Sequence, residues 1–153
     1  MKIAIGCDEV AYELKEAVKA YLIAQTEVPV EEVVDFGVYD KNPIDYPDTA
    51  EKAALSILKG ECQRGILICG TGIGMAIAAN KVPGIRAAQV WEPYGAERAR
   101  KSNDAQIMTL GALVTGLETA KALVSIWLKC EFAGGRSAPK VEKLKALDEK
   151  YKK

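Results

Sequence analysis

The chain has 153 residues, 49% of them hydrophobic, which is enough for one globular domain with a real core and too short for two independent ones. Its 21 Lys and Arg balance 21 Asp and Glu, so no global field selects nucleic acid, an anionic membrane or a strongly basic partner, and any anion site must be local. Histidine is absent, which removes the side chain most used for proton transfer near neutral pH and leaves thiol, carboxylate and hydroxyl groups for acid–base chemistry.

The opening MKIAIGCDEV contains an apolar run, Lys2–Cys7, that reads as a strand. Cys7 and Asp8 end it well short of a signal h-region or a membrane span, so a cytoplasmic protein is expected. Amphipathic spacing then predicts a helix near Ala11–Ala24, a strand over Glu32–Val38 and a helix near Thr49–Lys59, with Asp48-x-x-Glu51 offering a capping box. Next come a strand at Arg64–Cys69, a helix near Gly74–Lys81, a strand at Ile85–Trp91 and a helix over Pro93–Lys101. A last strand at Gln106–Leu110 and a helix near Leu117–Cys130 complete five βα units. This alternation predicts an α/β fold over residues 1–132: a three-layer, doubly wound, Rossmann-like parallel sheet of five strands.

After Phe132 the pattern changes to Ala133-Gly134-Gly135-Arg136-Ser137-Ala138-Pro139 and then to a lysine-rich helix from about Lys140. Residues 133–153 are expected to form an arm of the same domain. Its apolar positions Val141, Leu144 and Leu147 recur at helical spacing and call for a second surface, which predicts a homodimer at least. The four cysteines, at 7, 62, 69 and 130, form no C-x-x-C pair and have no histidine beside them, so reduced thiols are expected, without a zinc site or a disulfide framework.

Ligands of such sheets bind beyond the carboxyl ends of the strands. Three of those ends carry chemistry: Cys7-Asp8-Glu9, Cys69-Gly70-Thr71-Gly72-Ile73-Gly74 and Trp91-Glu92-Pro93-Tyr94, which are expected to face one cleft. The free N–H groups of Gly70–Gly74 can cradle an anionic oxygen, or these glycines merely permit a tight turn. The segment lacks the Lys-Ser or Lys-Thr of a Walker loop and the third glycine of a dinucleotide fingerprint at its proper offset. Cys69, at a strand end beside a helix start, is placed to acquire thiolate character and abstract a carbon-bound proton; the alternative is a small buried hydrophobe, the reading given to Cys7, Cys62 and Cys130. Asp8 suits a substrate hydroxyl or an N-cap, Tyr46 the cleft or a rigid turn, and Asn103 a sugar oxygen or a helix C-cap. Arg136 and Lys140, four apart, suit a phosphate clamp or simple solvation, and a partner subunit is a candidate to receive them.

The segments Gly65-Ile66-Leu67-Ile68-Cys69-Gly70-Thr71-Gly72-Ile73-Gly74-Met75 and Ala79-Asn80-Lys81-Val82-Pro83-Gly84-Ile85-Arg86-Ala87 resemble the type B ribose-5-phosphate isomerases and the related galactose-6-phosphate isomerases. The likeness extends to Ile3-Ala4-Ile5-Gly6-Cys7-Asp8, Tyr46-Pro47-Asp48, Ser102-Asn103-Asp104-Ala105 and Glu131-Phe132-Ala133-Gly134-Gly135-Arg136, nearly the whole chain. The resemblance implies metal-free aldose–ketose isomerisation of a phosphorylated sugar through a cis-enediolate, without a cofactor. It also implies homodimers or homotetramers whose sites borrow residues from a neighbouring subunit. Carried over by position, Cys69 becomes the base, since the glutamate used by relatives lacking that cysteine is Met75 here. Thr71 and the amides of Gly70, Gly72 and Gly74 would stabilise the enediolate, Asp8, Tyr46 and Asn103 would orient hydroxyls, and Arg136 with Lys140 would hold phosphate.

The departures from the family bear on substrate. Its Asp-His-Ala-Gly opening is Asp8-Glu9-Val10-Ala11 here, its later histidines are replaced by Trp91, Ser102 and Ser137, and a phosphate-side arginine becomes Leu113. In the family, a histidine at the Ser102 position helps open a furanose, and serine is a poor general acid. A tetrose 4-phosphate cannot close a furanose, because the oxygen that would attack the carbonyl carries the phosphate. The expected substrate is therefore an open-chain tetrulose 4-phosphate such as erythrulose 4-phosphate, with Glu9 in the substrate-binding set disfavouring a phosphate close to it. Two alternatives stand beside it: isomerisation of ribose 5-phosphate, and a non-catalytic sugar-phosphate sensor. A phospho-receiver domain fits poorly, since Cys69 stands where its aspartate would be.

Overall fold

In the computed structural model, which describes Met1–Lys152, five parallel strands lie in the order β2-β1-β3-β5-β4. They are β1 (Lys2–Cys7), β2 (Glu32–Asp35), β3 (Arg64–Cys69), β4 (Ala87–Gln89) and β5 (Ile107–Gly111). The helices are α1 (Tyr12–Ala24), α2 (Tyr46–Leu58), α3 (Ile73–Ala79), α4 (Pro93–Lys101), α5 (Leu117–Lys129) and α6 (Ala138–Tyr151). The doubly wound, Rossmann-like sheet expected from the alternating pattern is thus the observed one. None of these helices is long and apolar enough to cross a membrane.

The three central strands are buried on both faces, which is why they read as unbroken apolar runs. With a side-chain period of two, Ile3, Ile5, Ile66, Ile68, Met108 and Leu110 pack on one side with α1, α4 and α5. Ala4, Leu67, Cys69 and Ile107 pack on the other with α2 and α3. Cys69 therefore shares a sheet face with α3, the helix that follows it.

Three elements, α2, β2 and β4, differ in extent from the sequence reading, and one capping device is overturned. α2 begins at Tyr46 rather than Thr49, with Asp45 at the N-cap making no side-chain cap bond, so Asp48-x-x-Glu51 is not a capping box and Asp48 lies in the first turn. Pro47 explains the earlier start, because its fixed φ and missing N–H suit a helix's opening positions. β2 and β4 are shorter than expected, since both are edge strands with one neighbour each. The expected arm does not leave the core altogether: Val141 is buried and the Gly84 N–H donates to Asp148 Oδ2 at 2.8 Å, fastening α6 to its own chain. Leu144 and Leu147 stay half exposed beside a groove shared with Asn80, Ile85 and Asn103.

One ionic cluster anchors the loop between β2 and α2. Lys15 of α1 is fully buried, and its Nζ lies 2.8 Å from Asp35 Oδ2, 2.8 Å from Glu16 Oε1 and 2.7 Å from the Val38 carbonyl oxygen it donates to. Burial pushes the Asp35 carboxyl up, and hydrogen bonds from Lys15 and Lys19 more than reverse that, holding it below its ordinary value. Lys15→Met should cost about 3 kcal/mol in urea denaturation at pH 7, because Asp35 and the Val38 carbonyl lose a buried partner. Since Asp35 is depressed in the folded state, the ion pair's contribution is complete above the unfolded carboxylate value. It fades as pH falls through the folded value, and the gap between variant and parent narrows in acid.

Candidate active site

Each of α1 to α4 carries the chain from the carboxyl end of one strand to the amino end of the next, so the fold has two poles. At the carboxyl pole Cys69 ends β3 and the turn Gly70–Gly72 leads into α3. Gly72 has φ +80°, and a β-carbon there would sit 2.9 Å from the Leu110 carbonyl carbon, so only glycine lets the turn lie flat on the end of β5. Cross-links fix that position: the Ala112 N–H donates to the Cys69 carbonyl at 2.8 Å and the Leu113 N–H to the Gly70 carbonyl at 3.0 Å.

Two of the turn's amides are engaged within the turn itself. The Gly72 N–H donates to Cys69 Sγ at 3.1 Å, and the Ile73 N–H donates to Thr71 Oγ1 at 3.2 Å. Their carbonyls are held from β4 and β5: Gln89 Nε2 donates to the Thr71 carbonyl at 2.8 Å, and the buried Thr109 Oγ1 donates to the Gly72 carbonyl at 2.8 Å. The Gly72 N–H thus places the positive end of a peptide dipole directly on the Cys69 sulfur. The thiol is 5% exposed, so it is buried like a core cysteine while standing at the mouth of its strand.

Tyr46 closes one side of this turn. A β-carbon on Gly74 would lie 2.6 Å from Tyr46 Cζ and 2.9 Å from its hydroxyl oxygen, so the phenol rests directly on the start of α3. Tyr46 itself is the first residue of α2. The opposite side is apolar: Leu113 Cδ1 and Val10 Cγ1 stand 3.4 Å and 4.0 Å from where a side chain on Gly70 would begin, and both residues are at least half exposed.

Asp8 follows β1, beside β3, and its Oδ1 accepts the Ala11 N–H at 3.1 Å, so the N-cap reading is realised. Burial raises the Asp8 carboxyl above its ordinary value. Glu9 turns away from Cys69's turn to accept the Ile44 N–H at 3.2 Å, fastening the loop that delivers Tyr46. The third candidate strand end does not join the others directly, because β5 lies between β3 and β4. Glu92 there serves as the N-cap of α4, accepting from the Tyr94 and Gly95 N–H groups, while Trp91 and Tyr94 are largely exposed.

Asn103, Arg136 and Lys140 occupy the amino pole. The Asn103 side chain donates to the Arg98 carbonyl at 3.0 Å, closing the end of α4, and its own carbonyl accepts from Arg86 Nε, next to the start of β4. The Ala133 N–H donates to the Lys101 carbonyl at 3.1 Å, which sets the Arg136 turn beside that same helix end, with Lys140 in the first turn of α6. A six-residue strand such as β3 separates the poles by about 20 Å, so one chain cannot bring these three residues to its own Cys69. Sequence reasoning missed Gln89, Thr109 and Val10. Only Thr109, a buried hydroxyl at an inward strand position, carried a signal, since such a group needs a partner.

A doubly wound sheet that delivers a thiol into a pinned peptide turn, without a nucleotide-binding fingerprint, defines a proton-transfer enzyme more readily than a dinucleotide binder. The comparisons agree. Residues 3–144 match the family model described as Ribose/Galactose Isomerase. The chain is 54% identical over 150 residues to the ribose-5-P isomerase B of Listeria innocua, covering 98% of this chain and 99% of that protein. It is 53% identical over 147 residues to the D-erythrulose-4-phosphate isomerase of Pectobacterium atrosepticum, covering 94% and 93%. The solved ribose-5-phosphate isomerase B of Clostridium thermocellum superposes with a TM-score of 0.94 at 48% identity, covering 99% of both chains. The chain belongs to the ribose/galactose isomerase family, and it is a sugar-phosphate isomerase interconverting aldose and ketose forms.

Proposed function

We propose that the chain isomerises an open-chain tetrulose 4-phosphate, such as erythrulose 4-phosphate, to the corresponding aldose. Cys69 thiolate removes a proton from C1 of the ketose, the C2 oxygen takes up negative charge, and the thiol returns the proton to C2. Asp8 accepts and redelivers the hydroxyl proton between O1 and O2. Its burial-raised carboxyl suits a group that must carry a proton briefly. The Gly70 and Gly74 N–H groups and the Thr71 hydroxyl face the developing oxyanion, the Gly72 N–H being turned to Cys69 Sγ, and Tyr46 orients a hydroxyl. The reaction moves only protons within one molecule, so its balance needs no cofactor and no metal. In this reading the protein works in the cytoplasm.

The observation that carries the substrate reading is the total lack of histidine. Ser102, at the position where the family's ring-opening histidine is expected, has its hydroxyl engaged by Arg98 at 3.2 Å and is no general acid at neutral pH. A substrate that never closes a ring needs none. The two relatives named for ribose 5-phosphate and for erythrulose 4-phosphate are equally similar, so overall identity does not choose between these sugars. Steady-state kinetics should show kcat/KM for erythrulose 4-phosphate at least about tenfold above that for ribose 5-phosphate. Equal values, or a reversed order, would overturn this reading in favour of the pentose.

The position of Asn103, Arg136 and Lys140 at the amino pole supports a second part of the reading. Two copies, as a homodimer or within a homotetramer, present those residues to each other's carboxyl pole and so share active sites. The phosphate then sits against Arg136 and Lys140 of the second copy, opposite the apolar lip of Val10 and Leu113.

A further inference from the structure

We infer that Gln89 is a positioning residue for the proton transfer, acting on Cys69 through a single peptide unit. Gln89 lies on the edge strand β4 and touches neither sulfur nor cradle amides; its Nε2 donates to the Thr71 carbonyl at 2.8 Å. That carbonyl belongs to the same peptide as the Gly72 N–H, which donates to Cys69 Sγ at 3.1 Å. The only cis peptide among the described residues is Gly37–Val38, so the Thr71–Gly72 unit is trans and its C=O and N–H point in opposite directions. Pulling the carbonyl toward β4 therefore aims the N–H at the sulfur. Polarisation works in the same sense, because a hydrogen bond accepted by an amide oxygen strengthens the donor on its nitrogen.

The neighbouring peptide repeats the device. Thr109 Oγ1 holds the Gly72 carbonyl, and the opposed Ile73 N–H donates to Thr71 Oγ1. Thr109 is fully buried on β5 and Gln89 is exposed on β4, so the two clamps reach the turn from adjacent strands. Glycine at 72 gives the unit freedom to rotate, which is why it needs clamps. Without Gln89 the 71–72 peptide is held only by its neighbours, and the hydrogen bond that favours thiolate weakens. Gln89 thus sets how much of Cys69 is in the reactive form, while the substrate's contacts stay as they are.

This inference rests on Cys69 being the base but not on which sugar is preferred. Gln89→Leu removes the donor and keeps a strand-compatible side chain at an exposed edge position, where folding is little affected. The test follows alkylation of Cys69 by iodoacetamide against pH, with the Cys69 peptide resolved from those of Cys7, Cys62 and Cys130 by mass spectrometry. The expected result is a profile displaced to higher pH, with kcat lowered about tenfold at neutral pH, KM little changed, and activity recovering as pH rises. Thr109→Val, which deletes the hydroxyl at constant shape, should lower kcat without displacing the alkylation profile. An unmoved Gln89→Leu profile would overturn the inference even if activity fell. Failure of Cys69 itself as base would show separately, as activity surviving its replacement, and kinetics on either sugar phosphate report the variant-to-parent ratio equally well.

Discussion

Cys69→Ala is expected to lower kcat by about 10³-fold while the protein stays folded, because a positioned base contributes two to four orders of magnitude and a small buried side chain little stability. The removed atom is one sulfur on a strand whose packing is otherwise made by Ile66, Leu67 and Ile68, so the fold does not depend on it. The diagnostic measurement is solvent deuterium. Wild type run in heavy water should place deuterium at the substrate carbon that receives the proton, because a thiol that holds the proton between abstraction and return trades it with solvent part of the time. Cys69→Ala should place none. Cys69→Ser should be nearly as inactive, because the hydroxyl keeps the acceptor for the Gly72 N–H but is far less acidic than a thiol. A Cys69→Ala enzyme with more than about a tenth of the parent's kcat would remove the thiol from the chemistry and leave Asp8 as the remaining candidate base. A chain that bound sugar phosphate without turnover would show no exchange even in the parent.

The parts of the molecule legible in the sequence are those fixed by local periodicity. Arg64–Cys69 and Pro93–Lys101 fall where expected because an apolar run buried on both faces, and a proline-initiated helix after Glu92, have short-range causes. The places of Cys69, the glycine turn and Asp8 were legible for the same reason, as the last residue of a strand or the residues immediately after one. What was not legible depends on strand order. The order β2-β1-β3-β5-β4 puts β5 beside β3, which brings Thr109 to the Gly72 carbonyl and Leu113 to Gly70 and moves the Trp91–Tyr94 segment one place away. Glu9 is a case of the same kind: adjacent to Asp8 in sequence, it is drawn to the Ile44 N–H by a loop whose path no periodicity encodes. The polar distribution of Asn103, Arg136 and Lys140 follows from topology alone, since residues after a helix in a parallel sheet lie at the amino ends of strands.

That separation of poles carries the second large effect. If the thiol and the phosphate clamp that serve one site come from different copies, two variants that are each dead should repair one another when mixed. Cys69→Ala lacks the base but keeps Arg136; Arg136→Ala lacks the clamp but keeps Cys69. In a mixed dimer one site receives Cys69 from the second variant and Arg136 from the first, and is whole, while the other site is doubly broken. With equal amounts and free reassortment half of the dimers are mixed and half of their sites are whole, so activity should rise from near zero to about a quarter of the parent's. The recovery should appear only after conditions that dissociate and reassociate subunits, and the parent carried through the same cycle sets the scale. Arg136→Ala alone should raise KM strongly, because a guanidinium holds phosphate with paired charge-assisted hydrogen bonds. No recovery after reassortment, with both parents competent to reassociate, would mean that each chain's site is complete in itself. The phosphate would then have to be held at the carboxyl pole, where Lys15, fully buried and already paired with Asp35 and Glu16, is not available to a ligand.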